Sequence, residues 1–127
     1  MSNSLKRALA HTPRKHLCLN RILESMRETL RIAIYDCIKE DIDEHFNGSS
    51  LMLSCLNLRH VINTSFDSED VKAEIDDLID EATFEVLVEY KVEPEDEDYE
   101  MISDYVHSDL RAHADKHIKL LKQLMLS

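Results

Sequence analysis

Apolar residues recur every three or four positions along most of the chain. In "LCLNRILESMRETLRIAIYDCIKEDIDEHF" they stand at 19, 23, 26, 30, 34, 38 and 42, which is the spacing of one face of an amphipathic α-helix. Thr12-Pro13 reads as an N-cap followed by proline at the first helical position. Arg14 and Lys15 oppose the positive end of the helix dipole, so regular helix is expected over about 17–47. Gly48 suits the left-handed residue that closes such a helix. Ser49 or Ser50 can cap a second helix, "LMLSCLNLRHVIN", over about 50–63. It is apolar on several sides and is expected to be the most buried element.

Asp67 and Ser68 can cap a third helix over about 68–92, with Val71, Ile75, Leu78, Ala82 and Val86 on one stripe. Its last part, "TFEVLVEYKV", is β-branched and alternates, so a strand is the competing reading there. Pro94 interrupts the pattern. The acidic residues 95–98 fit the first turn of a fourth helix, about 96–126, because carboxylates favour the positive end of the dipole. Its stripe is Ile102, Val106, Leu110, His113, His117, Leu120 and Leu124.

Four helices with short connections predict an all-α fold: a mainly antiparallel four-helix bundle in which residues 1–127 form a single domain. Residues 1–12 are expected to be a loosely held basic arm. Composition supports this. With one glycine and two prolines in 127 residues, the chain lacks the turn chemistry that a multi-stranded sheet needs. No apolar run reaches about 18 residues, so no membrane span is expected. The N-terminus has no apolar core of a secretory signal. Cys18, Cys37 and Cys55 are odd in number and far apart, which suits reduced thiols in the cytoplasm better than a disulfide frame or a zinc knuckle.

Charge changes the picture most. Residues 1–31 carry net +5, residues 32–66 net −3, residues 67–104 net −15 and residues 105–127 net +2. Within the body of the third helix Lys72 alone opposes Asp76, Asp77, Asp80, Glu81, Glu85 and Glu89. Like charges four residues apart cost about 0.2–0.5 kcal/mol per pair, and this face accepts several of them. Compensation has two possible sources. The basic arm or the last helix can lie against the face, within one molecule or across a homodimer. Alternatively the face meets a basic protein partner, steered by long-range attraction. Proteins whose surfaces normally hold DNA or RNA are matched to such charge density.

The favoured reading is therefore a non-enzymatic regulator or inhibitor, of antitoxin, immunity, anti-restriction or nucleic-acid-mimic type. Its expected contact residues are Asp76, Asp77, Asp80 and Glu81 on the helix, with Glu93, Glu95, Asp96, Glu97 and Asp98 at the following corner. A chain of net −11 repels phosphate, so direct nucleic-acid binding is not expected.

Two other constellations sit on the fourth helix. Asp109, His113 and His117 are spaced by four and stack on one side. Two histidines at that spacing are a workable two-ligand metal platform, so a metal-binding bundle using His113 and His117 is an alternative reading, but neither HExxH nor Glu-x-x-His is present. The plainer expectation is two interior or interface histidines satisfied by carboxylates such as Glu85 or Glu89 across the bundle, with no cofactor. "RAHADKH", Arg111 to His117, resembles the arginine-spacer-histidine signature of the HEPN ribonucleases. The family often has a polar residue after the arginine, where this chain has Ala112. The resemblance implies a helical bundle whose Arg and His meet at a dimer interface. Arg111 would then stabilise phosphate charge and His117 would act as acid and base.

Overall fold

The computed structural model describes residues 13–47 and 55–127. They form four α-helices: α1 over Pro13–Asn47, α2 over Cys55–Asp67, α3 over Glu69–Tyr90 and α4 over Tyr99–Leu126. The fold is an all-α helical bundle, and there is no strand among the described residues. The basic arm, the Gly48 closure and the Ser49 or Ser50 cap lie outside those residues.

Local chemistry accounts for the boundaries. α1 is already helical at Pro13, four residues earlier than expected. Proline suits that position because its φ is preset and its missing N–H would have no partner there. α2 spans Cys55–Asp67, so it runs four residues past the expected end at 63, and its expected start near 50 lies outside the described residues. The polar run Asn63-Thr64-Ser65 does not end it, because its hydroxyls are satisfied in place. Thr64 Oγ1 donates to the His60 carbonyl at 2.8 Å, and Ser65 Oγ donates to Asp41 Oδ2 of α1 at 2.5 Å. On α2, Val61, Ile62, Ser65 and Phe66 are buried while Leu58 is exposed.

Ser68 is the single residue between α2 and α3. Its extended ψ of 128° breaks the helix, and its side chain accepts from the Val71 N–H at the start of α3, as a cap should.

The strand alternative for residues 83–92 is overturned. The segment is helical to Tyr90, and its β-branched residues are used at helical spacing. Val86, Leu87 and Tyr90 face the core, and Thr83 returns its hydroxyl to the Ile79 carbonyl at 2.8 Å. Lys91 ends α3 in the left-handed region, with φ 64°. Its N–H donates to the Val88 carbonyl at 3.1 Å, and the Val92 N–H donates to the Leu87 carbonyl at 3.2 Å. This is a Schellman closure, with buried Val92 completing the contact to Leu87.

The core draws on all four helices. Leu19, Leu23, Ile34, Ile38, Ile79, Val86, Val106 and Leu110 are almost wholly sealed. Side-chain pairs give the directions. Asp80 meets His107 and Asp76 meets Arg111, so α3 and α4 are antiparallel. Arg27 meets Asp109, while Arg31 acts on His117, so α1 and α4 run the same way.

On α4 the buried stripe is Ile102, Val106, Leu110 and Ala114, followed by partly buried Ile118. These four-residue steps drift about 40° per step around the helix. The expected continuation through His113, His117, Leu120 and Leu124 is therefore corrected. The histidines are half-buried on the flank, and Leu120 and Leu124 are 51% and 62% exposed. No helix among the described residues is long and apolar enough to cross a membrane.

Candidate functional site

α3 has three working sides. One carries Val71, Ile75, Ile79, Ala82, Val86 and Tyr90 into the core. A second meets α4. There Arg111 Nη2 donates to Asp76 Oδ1 at 2.7 Å, and His107 Nε2 lies 3.1 Å from Asp80 Oδ1. Two of the expected contact carboxylates are thus engaged within the molecule by the last helix. Both pairs are substantially exposed, so each contributes little to stability by itself.

The third side faces water. It presents Asp77 and Glu81 with Glu85 and Glu89 beside them, all exposed. None of these four forms an ion pair among the described residues. In their midst Phe84 is 64% exposed and Val88 is 58% exposed. Asp77, Glu81, Phe84 and Val88 follow three- and four-residue steps, so they form one continuous row. The two apolar members were not singled out from the sequence. Their signal is that Phe84 and Val88 lie on the same helical line as Asp77 and Glu81 and off the core stripe.

The acidic corner is a constructed turn. Pro94 holds the second position of a turn closed by the Asp96 N–H donating to the Glu93 carbonyl at 2.9 Å, where proline's fixed φ is suitable. Asp96 Oδ2 accepts from the Glu93 N–H at 2.8 Å, and the Asp96 carbonyl accepts from the Tyr99 N–H at 3.1 Å. Asp96 therefore builds the turn. Glu93, Glu95 and Glu97 are exposed around it, and Asp98 is half-buried. Asp98 precedes α4 without a side-chain capping bond, although its carbonyl accepts from the Ile102 N–H at 2.9 Å.

The histidine column faces α1, away from the acidic side of α3. Asp109 is committed to Arg27: Nε donates to Oδ2 at 2.9 Å and Nη2 to Oδ1 at 2.6 Å. This two-pronged pair is half-buried, and the carboxylate holds the guanidinium charged, above its ordinary range, against the opposing effect of burial. The imidazoles of His113 and His117 both titrate below the usual range. Burial is the main cause for each. The charges of Arg27 and Arg31 add to it at His113, and that of Arg31 at His117, where the nearby Arg31 main chain opposes the shift. His117 Nε2 is buried without a hydrogen-bond partner among the described residues. The expected partners Glu85 and Glu89 make no hydrogen bond to either ring there, because the column lies against a different helix.

Among the described residues no three His, Cys, Asp or Glu side chains converge as metal ligands. Arg111 and His117 serve different seams within one protomer. Arg111 bridges to Asp76 of α3 and reaches Asp115 at 4.0 Å, while His117 lies against α1. Cys37 is a poor nucleophile. Burial raises its thiol pKa to about 12, helped by a hydrogen bond from Sγ to Glu74 Oε2 at 3.2 Å. No protein-family model matches this chain, and neither a curated protein nor a solved structure matches it.

Proposed function

We propose that the protein is a non-enzymatic binding module that docks the outer face of α3, with the Glu93–Glu97 corner beside it, on a basic protein partner. The observation that carries this reading is the row Asp77, Glu81, Phe84 and Val88. Exposed apolar side chains lie among carboxylates that have no cation within the described residues. Interfaces place an apolar anchor at the centre and charge around it. The anchor contributes affinity, while the charge contributes steering and choice of partner. The carboxylates alone would suit any cation, but Phe84 and Val88 ask for a partner with an apolar spot inside a basic surface. Proteins that otherwise hold nucleic acid offer that combination, with aromatic or aliphatic patches flanked by Lys and Arg. The reading places inhibition of such a protein, by occupying its phosphate-binding surface, as the mode of action.

Of the contact residues expected from sequence, Asp77 and Glu81 stay central, and Glu93, Glu95 and Glu97 form the rim. Asp76, Asp80 and Asp96 contribute charge while also being engaged within the molecule. The test is capture of partners from native lysate by the tagged chain, at low and high salt. It is repeated with Phe84→Ala and with the set Asp77→Asn, Glu81→Gln, Glu85→Gln and Glu89→Gln. A basic partner should be retained at low salt, released by salt and by the neutral set, and weakened by F84A. Retention of the same partner by both variants would show that docking occurs elsewhere.

A further inference from the structure

A cavity of about 410 Å³ opens where all four helices converge. Its floor is Ile38 of α1, Phe66 of α2, Val71 and Ile75 of α3, and Ile118 of α4. It lies close to the joint at Ser68, the extended residue between α2 and α3, since Phe66 and Glu69 on either side of it line the cavity. Its mouth is charged. Glu69, Lys72 and Asp76 stand on the α3 side, with Arg111 and Asp115 on the α4 side. Three carboxylates thus face two cations, and both cations already have partners. Arg111 is held by Asp76 at 2.7 Å and reaches Asp115 at 4.0 Å, and Lys72 lies 3.9 Å from Glu69.

An apolar floor beneath a mouth of net negative charge selects a particular ligand. The stem must be apolar, because Ile38, Phe66, Val71, Ile75 and Ile118 offer dispersion contacts and exclusion of water and no polar partner. The head must be cationic. An anion would have to displace a carboxylate from Arg111 or Lys72, next to the three carboxylates of the mouth. A cation finds Asp115 and Glu69 only loosely engaged. Long basic side chains bury a methylene stem and keep the charged end at the surface in this way.

We propose that this cavity receives a lysine or arginine side chain presented by the basic partner. The proposal rests on the docking reading above and adds a second point of attachment, at the N-terminal end of α3 and beside the acidic face. Asp76 joins the two, since it lines the mouth and belongs to the same helix as Asp77 and Glu81.

The site can be probed without the partner by titrating the whole chain with n-pentylammonium and following the methyl resonances of Val71, Ile75 and Ile118. n-Pentanoate and n-pentanol serve as controls of equal length. Shifts of these methyls with the ammonium, and much weaker ones with both controls, are expected. The variant Asp115→Asn with Glu69→Gln removes two exposed charges and leaves the floor intact. It should bind the ammonium about threefold more weakly, as the loss of exposed charge contacts implies, with an unchanged helical spectrum. Equal binding of pentanoate or pentanol, no methyl shifts, or full affinity in the double variant would overturn the proposal.

The outer-face neutral set separates this from the docking reading. That set should lose the partner and keep the ammonium. A chain that captures no basic partner yet binds the ammonium here still supports the cavity as a site for cationic stems. A chain that captures its partner and shows no ammonium binding refutes the cavity.

Discussion

Arg27 and Asp109 meet across the α1–α4 seam with both side chains half-buried and two hydrogen bonds between them. Asp77 and Glu81 stand on the outer face of α3, with no cation paired to them among the described residues. Both regions are rich in charge, but the charges do opposite things. At the seam each charge is committed to a partner, and removing one leaves the other stranded in a partly desolvated place. On the α3 face each carboxylate repels its neighbours, so removing one relieves the helix. Charge that holds the fold needs no further explanation, whereas charge kept at a cost to the fold is what the proposed docking on a basic partner would account for.

The comparison breaks most visibly at Asp109. Asp109→Ala leaves the Arg27 guanidinium without its two acceptors and should cost about 1.5–3 kcal/mol of stability, the range for a hydrogen bond to a charged group. Urea denaturation measures it directly. The double variant Arg27→Ala with Asp109→Ala should lose less than the two single losses added together, because the pair is coupled. A loss in D109A no larger than that of an exposed carboxylate would mean that the seam pair is as incidental as the surface ones.

Acidification probes the same seam through His113 and His117. Both are held below the usual imidazole range in the folded chain, by burial first and then by nearby cationic charge, with Arg27 and Arg31 acting at His113 and Arg31 at His117. The unfolded chain then takes up protons more readily than the folded one, starting near the ordinary value of 6.5. The contribution is therefore fully present above about that pH and is lost as pH falls through the depressed folded values. Melting temperature should drop between neutral and mildly acid pH. Replacing both histidines by Asn should flatten the part of that drop nearest pH 6.5. An unchanged profile in the double variant would assign the acid loss to carboxylates elsewhere.

Three of the four helices were legible in the sequence because their stripes are long. Leu19, Leu23, Leu30, Ile34, Ile38 and Ile42 of α1 are all buried as their spacing implies. The end of α2 is less legible, because Asn63, Thr64 and Ser65 look like a loop yet are helical. That Ser65 would find Asp41 of α1 depends on tertiary placement. The last third of α4 was misassigned because three- and four-residue steps fit two stripes equally well near Leu110, and only neighbouring helices decide between them.

The acidic face was readable as composition, but its division into engaged and unengaged carboxylates was not. One signal was available: Asp76 and Asp80 are four apart, and so are His107 and Arg111. An antiparallel α3–α4 pair would match them in reverse order, as the structure does. The cavity left no trace in the sequence, because its lining comes from all four helices and depends on how they pack.

The smallest expected effect is the one that most sharpens the contrast. Glu81 lies four residues from Asp77 and four from Glu85, so Glu81→Gln removes two repulsive pairs. It should stabilise the chain by about 0.5 kcal/mol at low ionic strength. The same substitution should weaken capture of a basic partner, so one change is expected to improve the fold and impair the binding. Salt separates this from a packing effect. At about 1 M salt the screening length is about 3 Å, and repulsion between exposed side chains is largely gone. Wild type and E81Q should then melt together, while D109A should keep most of its deficit because its pair is half-buried. If E81Q were destabilising at low salt, Glu81 would be working inside the protomer, and the outer face of α3 would lose its claim to be kept for a partner.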